Sequence, residues 1–317
     1  MSPKIKTSLK LIIPLILAVF FGWYTFSKLP VSTIIPFVKS ANYWWIILGV
    51  TFGFLSHLSR AYRWQYLLEP MGYQIKLPNS MMAVFITYLA NYGVPRSGEV
   101  LRAAVLTNYE GVPFEKSFGT IVAERMADLV VMLGIIAITL VLEFDFILDL
   151  LQHAFQPKKI LLLGLVLFLA VTALVLFIKY SQSRFAIKVK QFLKGLVEGV
   201  LSIFKMKHKW AFIGHTLFIW GMYILMFYVT TFALPELNTV SIGAILVAFI
   251  SASFTIAATN GGIFVYPAAV MAALTVFGID KDPSFAFGWI MWSAQTVMII
   301  IAGSLSFIYL PIYNRTK

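Results

Sequence analysis

The chain has no cysteine, and charge is scarce. Without a thiol there is no disulfide framework, no thiolate metal site and no cysteine nucleophile. Only 12% of the 317 residues are Asp, Glu, Lys or Arg, about half of what a soluble domain carries. Acidic residues are the rarest, 13 against 25 Lys and Arg, which leaves a net charge of +12. Histidine occurs four times, at His57, His153, His208 and His215. No pair has metal-ligand spacing, so these read as packing or interfacial residues, and no metal or other cofactor is expected. No P-loop is present. Asp280-Lys281-Asp282 has D-x-D spacing but sits in a short loop and reads as solvated charge.

Apolar side chains are what the sequence has in excess. They make up 60% of it, and the mean hydropathy is +0.86. That much apolar surface needs a bilayer as its solvent. The positive charge lies between apolar runs, which points to anionic lipid headgroups as partners and away from nucleic acid.

About 20 apolar residues cross a membrane. Six segments qualify: Leu9–Phe26, Tyr43–Tyr62, Phe118–Leu142, Ile160–Lys179, Trp210–Leu234 and Phe285–Leu310. The first follows a basic N-terminus but is long for a signal sequence and lacks a small-residue cleavage site, so it reads as an uncleaved span. Two further apolar stretches are interrupted. Ser80–Val94 runs into Pro95-Arg96-Ser97-Gly98-Glu99 and resumes over Val100–Thr107. Ile242–Ala258 meets Thr259-Asn260-Gly261-Gly262 and resumes over Ile263–Phe277, with Pro267 inside. Broken helices at membrane depth need protein or water around the freed backbone, and one in each half of a chain points to a binding site between inverted repeats. The expected fold is therefore an all-α membrane bundle of six full spans and two broken re-entrant hairpins. It forms one transmembrane domain over 1–317, with repeats at about 1–143 and 159–317.

Charge sets the expected orientation. With the N-terminus cytoplasmic, five of the 25 basic residues fall outside (Lys28, Lys39, Lys158, Lys159, Lys281). Arg96, Arg102 and Arg125 fall in the membrane, and the other 17 fall inside. The positive-inside rule is met with both termini cytoplasmic, as expected of a multi-pass protein of a cell membrane, here a bacterial inner membrane. The basic segment 184–209 carries apolar residues at helical spacing. It suits either an amphipathic helix on the inner leaflet or a loop helix packed on the bundle.

Charges inside apolar spans are expensive and usually functional. Glu124 and Asp128 are four residues apart and share a helix face with Arg125 beside them. Arg96, Glu99 and Arg102 recur every three residues, and Ser97 reads as an N-cap for the helix beginning near Gly98. The two sets are expected to approach each other within the bundle, because either one alone in hydrocarbon is costly. A helix N-terminus beside arginines suits an anion, and in a membrane that anion is a phosphate headgroup. A purely structural ion-pair network is the competing reading.

At these residues the sequence resembles a known family. It has Arg63-Trp64-Gln65-Tyr66-Leu67-Leu68, then Pro95-Arg96-Ser97-Gly98-Glu99-Val100-Leu101-Arg102, then Glu124-Arg125-Met126-Ala127-Asp128. These match R-W-x-x-L-L, P-x-R-x-G-E-x-x-R and E-R-x-x-D of the flippase-like membrane family related to the transmembrane region of lysylphosphatidylglycerol synthase. In that family P-G-G-x-G precedes the last re-entrant helix. Here Asn260 stands at the proline, Gly261 and Gly262 are kept, and Phe264 stands at the third glycine. Tyr266-Pro267 occupies the place of a common acidic residue.

The resemblance implies movement of a polar-headgroup lipid, an anionic phospholipid or lipid-carrier phosphate, between leaflets. Arg96, Ser97, Gly98, Arg102, Asn260, Gly261 and Gly262 would hold the headgroup. Glu99, Glu124, Arg125 and Asp128 would form the intramembrane charge network. The synthase relatives carry an aminoacyl-transferase domain after this region, and the sequence ends at Lys317, so enzymatic activity is not expected. Two other readings stay open: an integral-membrane glycosyl- or phosphotransferase acting on a lipid carrier, and an accessory subunit of envelope lipid biosynthesis. The sequence is also compatible with a homo-oligomer.

Overall fold

The computed structural model describes residues 31–94, 97–154, 206–259 and 261–315, with isolated positions between 165 and 203. The described residues are helical and contain no strand. By backbone contacts they form two units. One comprises residues up to Val122 together with those from Trp210 onward, and the other comprises Ala123 to Lys209. The expected spans Leu9–Phe26 and most of Ile160–Lys179, with most of the basic segment 184–209, lie outside the described residues.

Ten α-helices are described. In chain order they are α1 Val31–Ser40, α2 Tyr43–Leu68, α3 Leu77–Gly93, α4 Ser97–Glu110, α5 Phe114–Leu142, α6 Phe144–Ala154, α7 Lys209–Thr231, α8 Ile242–Ala258, α9 Val265–Val276 and α10 Lys281–Tyr313. Three of these, α5, α7 and α10, are long and apolar enough to cross a membrane. At 1.5 Å per residue, α10 runs about 50 Å, well beyond the hydrocarbon thickness. Helices α1 and α6 have no counterpart in the sequence reading.

Local chemistry sets the helix ends. Asn42 caps α2 by accepting the Trp44 N–H at 3.1 Å, and Ser241 caps α8 by accepting the Ala244 N–H at 3.1 Å. Pro70 and the left-handed Gly72 (φ 83°) turn the chain after α2. Pro267 is the third residue of α9, in the first turn, where the missing N–H costs nothing.

Helix α2 extends six residues beyond the expected span, which adds Arg63 to a helix that already holds Arg60. Arg60 and Arg63 are buried, at 2% and 0% exposure.

In the first unit, α2 and α7 run antiparallel. The Asn42 N–H donates to the Ala233 carbonyl, and the Trp45 and Phe232 rings lie 5.1 Å apart. Further along, Ser59 Oγ meets His215 Nδ1 at 2.8 Å and Arg63 Nη1 donates to Thr216 Oγ1 at 2.8 Å. Gly49 and Gly53 let the helices close, since a Cβ at either would strike Thr230 or Met226. Small residues do this work in membranes, where lipid competes on equal terms for apolar contact.

Helices α3 and α4 fold back on each other as a hairpin. At the tip, the Gly98 N–H donates to Asn91 Oδ1 at 2.8 Å, and at the open end Asn79 Nδ2 donates to Glu110 Oε1. Helix α10 runs antiparallel to α3. Asn314 and Asn79 exchange amide hydrogen bonds of 2.8 and 3.0 Å, Gly303 packs on Phe85 and Leu89, and Tyr92 OH bonds Thr296 Oγ1 at 2.9 Å. Helices α8 and α9 form the second broken element. Gly288 of α10 packs on the backbone of Pro267, and α9 leads through Gly278 into the start of α10.

Candidate functional site: the meeting of the two helix breaks

Both interruptions were read from Gly and Pro, and they come together near the middle of α10. Tyr92, two residues before the first break, lies over Gly261 of the second. A Cβ at Gly261 would sit 2.5 Å from the Tyr92 ring. Trp292 Nε1 donates to the Gly261 carbonyl at 2.7 Å, and Tyr92 OH bonds Thr296 one turn further along α10. One helix thus fixes both tips.

The second tip has an unusual backbone. Gly261 and Gly262 have φ of 67° and 75°, which only glycine adopts freely. Phe264 follows at φ 61°, a conformation costly to a side chain, with its ring edge-on to Trp289 at 5.5 Å. Position 264 is where the family pattern has its third glycine. This chain keeps the positive φ and puts an aromatic residue there.

The first tip is tightly bonded. Ser97 donates its hydroxyl backward to the Val94 and Ala90 carbonyls at 2.8 and 3.2 Å and so closes the break from behind. Asn91 accepts the Gly98 N–H and offers Nδ2 to Glu99 Oε2 at 3.5 Å. Gly98 lies against the Thr87 carbonyl, so the two arms touch backbone to backbone. The Ser97 hydroxyl and the Gly98 N–H are therefore already engaged within the hairpin. Arg96 and Asn260, both expected at the site, lie outside the described residues.

Arg102, one turn deeper on α4, is buried with its guanidinium 3.9 Å over the Trp64 ring. Trp64 Nε1 in turn donates to Thr120 Oγ1 at 2.8 Å. The R-W pair thus places a ring under an arginine from another motif. Sequence reasoning missed that Arg60 and Arg63 join Arg102 in the buried region. Arg60 shares a helix face with Trp64, and Arg63 reaches Thr216 with its guanidinium 5.2 Å from the Phe212 ring. The available signal was the four-residue spacing of Arg60 and Trp64.

In the second unit, Glu124 and Asp128 are buried on one face of α5, and Arg125 lies 3.7 Å from Asp128. His57 is buried among Phe85, Tyr88 and Tyr223, as a packing histidine would be.

Comparison with known proteins agrees with the motifs. Residues 11–303 match the lysylphosphatidylglycerol synthase TM region. A UPF0104 membrane protein of Methanocaldococcus jannaschii is 27% identical over 133 residues, 41% of this chain and 39% of that protein's length. No solved structure matches. With the family match spanning nearly the whole sequence and three membrane-length helices among the described residues, the chain is a multi-pass membrane protein belonging to the lysylphosphatidylglycerol synthase TM-region family.

Proposed function

We propose that this protein moves a lipid with a polar, anionic headgroup from one leaflet to the other. The observation that carries the reading is the contact of the two helix breaks through Tyr92 and Gly261 at the middle of α10. Two interrupted helices that meet at mid-membrane are how transporter folds expose backbone and polar side chains at depth. Along α10 the first hairpin's open end lies at Asn314, while α9 runs from its tip toward the opposite end, at Lys281. That arrangement supports two re-entrant hairpins of inverted sense, one from each half of the chain.

In this mechanism the headgroup leaves water beside the tips while the acyl chains remain in the bilayer. Arg96 and Arg102 attract its phosphate, and the guanidinium fork can hold two phosphate oxygens at once. Gly261 and Gly262 let backbone approach the headgroup closely. Rocking of one repeat against the other then exposes the tips to alternate sides. No bond is made or broken in the lipid, so the protein acts as a translocase.

The test uses purified protein in liposomes with a headgroup-exposure assay. Arg96→Ala and Glu124→Gln are expected to slow exchange at least tenfold while remaining monodisperse. Well-folded variants that move lipid at the wild-type rate would reduce these charges to structural pairing.

A further inference from the structure

Away from the tips, α2, α3 and α7 leave an open groove of about 610 Å³, within the roughly 300–1,000 Å³ of small-molecule sites. Its walls are apolar along most of their length, with Leu55 and Leu58 from α2, Met81 from α3 and Phe218 from α7. Its polar groups gather toward one end, where α2 finishes and α3 and α7 begin. Ser59 and His215 bond there at 2.8 Å, with Tyr62 beyond them. Just past this end the exposed Lys76 precedes Leu77 of the lining, and Trp210, 73% exposed, precedes Ala211.

The gradient from apolar wall to polar aromatic, then to lysine and tryptophan, is that of a membrane interface read along the helices. The geometry points to this groove as the seat of one acyl chain of an anionic phospholipid, its headgroup at the level of Lys76 and Trp210. Lipid tails are the solvent around the exposed Leu217 and Phe218 of α7, so the groove opens onto its occupant. A lysine at the polar end favours an anionic over a zwitterionic headgroup, in keeping with a chain of net charge +12. One wall is α3, the first arm of the first hairpin. A lipid seated here already lies against the element the translocation reading makes mobile. The inference rests on that reading only for this last step.

Gly214 lines the groove, and a Cβ there meets no heavy atom within 4 Å. Gly214→Phe therefore fills the groove, and replacing a helical glycine does not weaken α7. Gly134→Phe, at an equally open position on α5, is the control. Delipidated protein in detergent is titrated with phosphatidylglycerol and with phosphatidylcholine and followed by native mass spectrometry. Gly214→Phe is expected to bind one phosphatidylglycerol fewer than wild type and Gly134→Phe. Lys76→Gln is expected to weaken phosphatidylglycerol at least threefold and leave phosphatidylcholine unchanged. Equal phosphatidylglycerol occupancy in the two phenylalanine variants overturns the proposal. So does a dimer that only Gly214→Phe dissolves, which would assign the groove to a second copy. These readouts measure binding, so they stand or fall apart from any measurement of transport.

Discussion

Arg102 and Trp64 show what single residues contribute. A guanidinium over an indole in a buried site is worth about 2 kcal/mol, and an ammonium does not reproduce the contact of a planar cation with the ring. Arg102→Lys is thus expected to keep the charge but lower the thermal midpoint measured in detergent. Trp64→Phe, which keeps a ring but loses the hydrogen bond to Thr120, should cost less, about 1 kcal/mol. Unchanged melting of Arg102→Lys would mean that contact contributes nothing. Gly98→Ala tests close approach, because its methyl group would strike the Thr87 carbonyl. A cost of about 1–3 kcal/mol is expected from overpacking. The buried arginines also mark the limit of sequence reading at this scale. Hydropathy fades where charges begin, so Arg60, two residues from the end of the expected span, and Arg63, just past it, read as flanking residues, yet both are buried in a protein interior that tolerates them. Whether a charge on a helix flank meets water or protein depends on neighbouring helices that no local pattern reports.

The two broken elements were legible because glycine and proline leave few alternatives. Ile242–Ala258 begins and ends where read, and α3 within three residues. The second arm, α4, proved longer than Val100–Thr107, since Ser97 and Gly98 bond back to α3 and start the helix early. Hidden from the sequence was the contact between the breaks, which depends on Tyr92, an aromatic residue outside every motif. If that contact latches the tips, Tyr92→Phe, which loses only the bond to Thr296, should change lipid exchange two- to threefold. Tyr92→Ala, which uncovers Gly261, should change it tenfold or more. Identical rates for the two variants would leave the ring without a role. The hairpin itself is tested by labelling. The bond between Asn79 and Glu110 brings the outer ends of α3 and α4 together. Single cysteines at Lys76 and Glu110, in a chain with none of its own, should therefore react from the same side of the membrane. Labelling from opposite sides would show that the two arms together cross the membrane once and do not form a hairpin.

For the molecule as a whole, composition and charge gave the solvent and the helical class at once, because an apolar excess of this size has no aqueous solution. The full set of spans is less accessible from sequence. Of the four expected spans that fall among the described residues, α5, α7 and α10 meet the length and hydropathy of a crossing helix. The fourth, α2, is as long but is interrupted by His57, Arg60 and Arg63. Buried cations are costly in an apolar helix, and they weaken the apolar signal by which spans are found. Lipid movement by this bundle is measurable with the wild-type chain alone. Liposomes containing a phosphatidylglycerol labelled on its headgroup are prepared with increasing protein, and quenching of the outer leaflet is followed in time. Inner-leaflet label is expected to become quenchable at a rate that rises in proportion to protein per vesicle. A quenched fraction that stays at half, as in protein-free liposomes, at every protein density would contradict it.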